Sequence, residues 1–240
     1  MKSIVKIIAA VAAGIFLTLD MSAGNGVEIG YLHSSYRTNL NSDEMKTASP
    51  MSGFQVGLMK DMNIVAGLSL QSGLTYSYLN SAEKEEVPMF NITGSYTEHM
   101  LNIPIQVKYT FDIIPAFGVY VFAGPTLSLG LAATTKLSVS GSIAGNTLEG
   151  NLKYNAYTNK LKSDNIPDEY VNLVNQYLPQ DRVMNRFDVL MGGGVGVNII
   201  KFVTVKGGFD YGLLNRLKGD LANAGKLNRM QYYISVGLTF

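Results

Sequence analysis

The sequence predicts an all-β protein, a single antiparallel up-and-down barrel of eight strands that crosses a membrane. Three observations predict it. Hydrophobicity alternates with a period of two through eight separate segments. No stretch after residue 23 is apolar for the roughly 18 residues that a membrane helix needs. The connections between the segments are short and long by turns, the layout of a barrel with turns at one end and loops at the other. A chain without spanning helices enters lipid only as a closed barrel, because an open sheet edge leaves backbone groups without hydrogen bonds.

The first 23 residues stand apart from this pattern. Lys2 and Lys6 precede an apolar run from Ile7 to Leu19, and Met21-Ser22-Ala23 is a loose small-x-small cleavage site. The run is shorter than the roughly 20 residues of a spanning helix. Residues 1–23 are therefore expected to be a cleaved signal peptide, and residues 24–240 one barrel domain.

The strands follow in order. Val27, Ile29 and Tyr31 alternate with Glu28 and Gly30, and Phe54, Val56 and Leu58 with Gln55 and Gly57. From Asn63 to Leu79 one parity carries Ile64, Leu68, Leu70, Leu74, Tyr76 and Tyr78, a run too long for an ordinary globular strand of about 5–6 residues. The fourth alternates from Leu101 to Phe111 and the fifth from Phe117 to Leu129. The sixth runs through Phe187, Val189, Met191, Val195 and Val197, the seventh through Val203, Val205 and Phe209, and the eighth from Tyr232 to Phe240. Short turns are expected around Lys60-Asp61-Met62-Asn63, Asp112 to Pro115 and Asn198 to Lys201. Longer loops are expected at 35–49, 80–95, 132–185 and 215–228.

Alternation does not say which face meets lipid, since a soluble barrel points its apolar face inward. Three features favour an apolar outer wall. The polar parity is rich in Gly, Ser and Thr, as a crowded lumen is. Aromatics of the apolar parity gather near strand ends, with Tyr76, Tyr78, Phe187, Tyr211 and Tyr232 at one level and Tyr109, Phe111, Phe117 and Phe240 at the other. The alternating run closes on Phe240, which reads as a signal to the outer-membrane assembly machinery.

Composition removes several function classes. The 240 residues are 15% charged with a formal net charge of +1, and no Lys/Arg stripe is present to suit a nucleic acid. The absence of cysteine excludes disulfides, thiolate metal sites, a Cys nucleophile and a lipid-bearing Cys.

Three stretches resemble the PorT-like outer-membrane β-barrel family common in Bacteroidota: His99-Met100-Leu101-Asn102-Ile103-Pro104-Ile105-Gln106-Val107-Lys108-Tyr109, Val119-Tyr120-Val121-Phe122-Ala123-Gly124-Pro125, and Phe187-Asp188-Val189-Leu190-Met191-Gly192-Gly193-Gly194-Val195-Gly196. The terminal Ser235-Val236-Gly237-Leu238-Thr239-Phe240 fits as well. The resemblance covers nearly all of 24–240 and implies an eight-stranded barrel in the cell outer membrane. It does not imply gliding or protein secretion. The connection between the fifth and sixth strands is longer than the family leads one to expect.

The lumen parity holds Glu28, Lys108, Arg186, Asp188, Lys206 and Asp210. Mixed charges in a narrow barrel must pair, because an isolated buried charge costs several kcal/mol. They read as a structural network that fills the lumen, with a narrow ion or proton path as the alternative. Pro104 shares that parity and is expected to mark a bulge. His33, beside Ser34 and Ser35, and His99, after Glu98, sit near one rim. A Ser next to a His in a strand points to the opposite face, so neither reads as a catalytic group, and two histidines alone make no metal site. The Gly192–Gly196 run lacks the Lys-Ser/Thr ending of a phosphate loop and fits close packing in a barrel wall. In the longest connection, Leu137 to Ile143 and Leu148 to Tyr157 alternate around Gly145-Asn146 as a hairpin. Pro167 to Leu178 has the Pro and first-turn acids of a short helix.

The expected function is that of an integral outer-membrane barrel, not an enzyme, with a structural or interaction role. Its extracellular loops would be the binding surface. No cofactor or metal is expected. The expected partners are outer-membrane lipids, the assembly machinery, and an extracellular or periplasmic protein. A small channel, a rim enzyme and a secreted soluble barrel are the competing readings.

Overall fold

The computed structural model describes residues 24–40, 50–87, 90–143, 146–164, 183–200, 202–219, 222–223 and 225–240. The expected signal segment 1–23 and the expected helix Pro167–Leu178 lie outside them. Ten strands follow in chain order: β1 Gly24–Leu40, β2 Met51–Val65, β3 Leu68–Val87, β4 Phe90–Ile114, β5 Phe117–Ile143, β6 Asn146–Asn155, β7 Lys160–Asp164, β8 Phe187–Ile199, β9 Val203–Gly212 and β10 Gly225–Thr239. All lie in one sheet of order β4-β3-β2-β1-β10-β9-β8-β5-β6-β7, and a further β4–β5 pairing closes it. Eight strands thus form the expected ring, while β6 and β7 continue the sheet beyond it from the far half of β5. The pairing of Ile143 with Asn146 places the expected hairpin, and β7 adds a strand that the alternation did not predict. No described helix is long and apolar enough to cross a membrane.

The stagger can be followed around the ring. Gly24 is level with Asp61, Asp61 with Gln71, and Gln71 with Gln106. Gln106 falls level with Gly124, between the Pro104–Thr126 and Val107–Ala123 pairs. Gly124 is level with Gly192, Gly192 with Asp210, and Asp210 with Gln231. Gln231 returns to β1 at Ser34, so the circuit climbs from residue 24 to residue 34. Such a shear tilts the strands by about 35–45° and leaves an interior that side chains fill.

The outer wall is apolar. Val27, Ile29, Val56, Leu58, Val107, Val121, Val195, Ile234, Val236 and Leu238 are all exposed. Outward aromatics gather at two levels. At the long-loop end Phe54 stacks on Tyr78 with centroids 5.5 Å apart, and Phe209 leans on Tyr232 at 4.9 Å. At the short-turn end Tyr109 meets Phe111 edge-on at 4.6 Å.

Three local expectations need correction. The β2–β3 turn is at Ala66-Gly67, not around Lys60 to Asn63, where the ladder continues with Lys60 opposite Ser72. Lys60 and Asp61 resemble turn residues because a polar lumen accepts the side chains that a turn also prefers; Gly67, at φ 78°, makes the turn. Most of the loop expected at 80–95 is strand, since β3 and β4 pair from Asn80–Thr97 out to Val87–Phe90. Pro104 produces no bulge. The β3–β4 pairing skips Ile103 and Pro104 and resumes in register, while the shifts against β5 fall at His99/Met100 and Asp112/Ile114.

Candidate functional site

The lumen faces of β1, β2, β9 and β10 bring polar chains together because every second residue points inward. Lys206 Nζ lies 2.7 Å from Glu28 Oε2. Gln55 donates to Ser235 Oγ at 2.9 Å, and Gln231 to Asp210 Oδ2 at 2.9 Å. Nearer the short-turn end Lys108 Nζ is 2.7 Å from Asp61 Oδ2 and 4.4 Å above the centre of the Tyr120 ring. The cavity left among Glu28, Gln55, Lys206 and Gln231 measures about 30 Å³, room for a water or two. Below it a mouth of about 490 Å³, lined by Asp61, Lys108, Asn198 and Thr204, opens at the short-turn end.

Small wall residues make this filling fit. A Cβ on Gly208 would stand 2.5 Å from the Tyr233 ring, and one on Gly194 would stand 2.7 Å from Phe122. Gly194 of β8 and Gly208 of β9 therefore make room for large lumen rings.

Of the six charges read from the sequence, Glu28 and Lys206 meet each other. Lys108 meets Asp61, a residue expected in a turn and found on the β2 ladder. Asp210 is held by an amide side chain. Asp188 Oδ1 accepts from the backbone N–H of Val189 at 2.8 Å and of Leu214 at 3.3 Å. Arg186 lies over the Tyr157 ring, 5.3 Å from its centre. Gln71 joins two of these pairs, accepting from Lys206 Nζ at 3.5 Å and donating to Asp61 Oδ1 at 2.6 Å, so Glu28, Lys206 and Lys108 share one network while Arg186 and Asp188 lie apart from it.

The strongest cluster lies at the long-loop end, above an apolar layer of Leu32, Met51, Leu79 and Met100. Glu98 Oε1 accepts from Arg216 Nη2 and Arg229 Nη2, both at 2.7 Å, and from the Tyr157 hydroxyl at 2.6 Å. Its Oε2 accepts from the Tyr36 hydroxyl at 2.7 Å. Arg216 Nη2 also donates to Tyr157 Oη at 2.6 Å, and Arg229 Nη2 to Tyr36 Oη at 2.7 Å. Glu98, Arg216, Arg229 and Tyr157 are fully buried. Burial, and then the Glu98 carboxylate, push the Tyr157 hydroxyl well above the usual phenol range, so it keeps its proton and donates it. Tyr157 comes from the segment after β6 and Arg216 from the segment after β9. The cluster therefore ties both external segments across the mouth and closes it.

Sequence reasoning missed this cluster. Tyr36 and Arg216 fall in stretches read as loops, and Glu98 was noted only as the neighbour of His99. The available signal was a Glu on the lumen parity of a strand whose next lumen positions are uncharged.

Both rim histidines face outward. His33 Nδ1 is 3.1 Å from Ser52 Oγ, to which Tyr31 also donates at 2.8 Å. Ser34 turns inward and donates to the Met230 carbonyl. His99 Nδ1 is 2.6 Å from the Tyr76 hydroxyl. Among the described residues no carboxylate hydrogen-bonds to either ring, and no group of three or more His, Cys, Asp or Glu converges as a metal site.

The family model described as outer membrane protein beta-barrel domain matches residues 19–218. No curated protein matches the chain. Among solved structures, the chain is similar to Ail, the attachment invasion locus protein of Yersinia pestis, in complex with the heparin analogue sucrose octasulfate: 13% identity, 91% of this chain and 99% of that one, TM-score 0.44. Neisserial surface protein A (NspA) gives 13% identity, the same coverages of 91% and 99%, and a TM-score of 0.41. The outer membrane protease OmpT from Escherichia coli gives 10%, coverages of 93% and 97%, and 0.34.

Proposed function

Because the chain belongs to the outer membrane protein beta-barrel domain family, we propose that it works in the outer membrane through its extracellular surface and not through its lumen. The observation that carries this reading is the closure of the barrel: Glu98 and its four partners seal one end, and the cavity among Glu28, Gln55, Lys206 and Gln231 below them measures about 30 Å³. A hydrated ion needs a continuous wet path, and paired side chains occupy the one available here. The working surface is then the sheet that β3 to β7 raise beyond the ring.

Within the family, the stretches His99–Tyr109, Val119–Pro125 and Phe187–Gly196 support placement with the PorT-like barrels. Lys2, Lys6 and the apolar run Ile7–Leu19 support export through a signal peptide removed near Ala23. The barrel's partners on this reading are the lipids around its wall, the machinery that inserts it, and a ligand on the exposed sheet. Among the described residues no acid orients the ring in the outward His33–Ser52 contact, which favours a role other than catalysis.

Planar-bilayer recording of the purified protein tests the reading. The wild type is expected to give no stable current steps. Steps whose size changes in Lys108→Gln or Asp188→Asn would replace it with the channel reading.

A further inference from the structure

Three lysines stand side by side on the external sheet. Lys136 of β5 is paired with Lys153 of β6, and Lys153 with Lys162 of β7. Directly paired residues on one face have Cβ atoms about 4.5–5.5 Å apart, and like charges so placed destabilise a sheet. Among the described residues Asp164 is the one acid found with them, 3.0 Å from Lys153, with both side chains well exposed. Among the described residues no carboxylate pairs with Lys136 or Lys162. Lysines on a free edge strand prevent unwanted pairing. That accounts for Lys162 on β7 but not for Lys136 and Lys153, whose strands are paired on both sides.

The face they occupy continues the lipid-facing wall. His99, on that wall, is opposite Ala132, and Lys136 follows four residues later on the same side, opposite Ser95. At the rise of a strand this is about 13 Å along β5 beyond the outer aromatic level. Around the row the face carries small polar groups, including Ser138, which donates to Asn151 Oδ1 at 2.7 Å. It offers no aromatic anchor of the kind that dominates protein interfaces.

Building on the extracellular-surface reading, we propose that the Lys136–Lys153–Lys162 row binds the phosphorylated saccharide of outer-leaflet lipopolysaccharide beside the barrel. Ammonium groups are point donors that suit phosphate. The row faces sideways over the leaflet, at the height where a glycolipid's sugars rise from it. The bound anion offsets the repulsion that the bare row carries.

The test is lysine acetylation read by mass spectrometry on protein in phosphatidylcholine nanodiscs with and without lipopolysaccharide. The three row lysines are expected to react about tenfold more slowly with lipopolysaccharide, the change of one bound contact of ordinary strength. Lys218 and Lys226, exposed near the opposite segments, are expected to change little. Equal slowing at all five, or none, would overturn the proposal. So would slowing by soluble heparin in plain phosphatidylcholine without slowing by lipopolysaccharide, which would assign the row to a free polyanion. The variant K136Q/K153Q/K162Q is expected to melt no lower than wild type in plain phosphatidylcholine and to lose the stabilisation by lipopolysaccharide; a lower melting point without lipopolysaccharide would make the row structural and overturn it. Bilayer recording remains independent: a conducting wild type would refute the extracellular-surface reading even with the lysines protected, and an electrically silent one with unprotected lysines would refute only the row.

Discussion

Two guanidiniums and two phenols converge on the carboxylate of Glu98, and each of the five groups depends on the others for its burial. Glu98→Ala leaves Arg216 and Arg229 buried without the carboxylate that both bind, a loss of about 3–5 kcal/mol. The expected result is a lower temperature for conversion of the compact to the extended gel band. Joint replacement of Glu98, Arg216 and Arg229 by apolar chains of similar volume is expected to recover much of that loss, since buried ion groups often do no better than a packed apolar core. Gly208 tests packing instead. Gly208→Val drives a side chain into Tyr233 and is expected to cost about 1–3 kcal/mol by the same gel assay. Adding Tyr233→Ala should return part of it, because the two positions share one space.

At the scale of elements, the external sheet is the part that proteases can reach. Trypsin added outside cells is expected to cut at Lys160 and Lys162 of β7 and to spare β1, β2 and β8 to β10, with the fragments identified by mass spectrometry. Cleavage from outside at the β8–β9 connection would reverse the orientation. The ring strands were legible in the sequence because lipid on one side and a packed lumen on the other impose a strict period of two, as Val27 to Tyr31 and Tyr232 to Phe240 show. Where that contrast ends, legibility ends too. Beyond His99 and Ala132 both faces of the sheet accept polar chains, so Asn80 to Ser95 looked like a loop, and β7, with Lys160, Lys162 and Asp164 on one face, gave no apolar stripe. The Glu98 cluster was hidden for another reason. Its hydrogen-bonded partners are 59 to 193 residues apart in the chain, and spacing along a sequence carries no trace of contacts made across a barrel.

For the molecule as a whole, a closed ring with no free edge in the membrane predicts resistance to detergent. In the outer-membrane fraction, an unheated sample is expected to run ahead of a heated one; a single band in the soluble fraction would oppose a membrane barrel. Six of the eight pairings around the ring join strands consecutive in the chain or separated by one turn or short segment, and β5–β8 spans the external hairpin. The β1–β10 seam is different: its partners, such as Tyr36 and Arg229, begin almost the whole chain apart. Local hairpins form early, and a contact between distant ends must wait for the loop between them to close. The seam is therefore the late event of assembly, and Tyr36 and Arg229, on its two sides, grip Glu98 only after it has formed. The cluster acts as a clasp on a finished ring. Its loss should leave the rate of insertion nearly unchanged and make the ring come apart faster, the kinetic signature of contacts absent from the transition state.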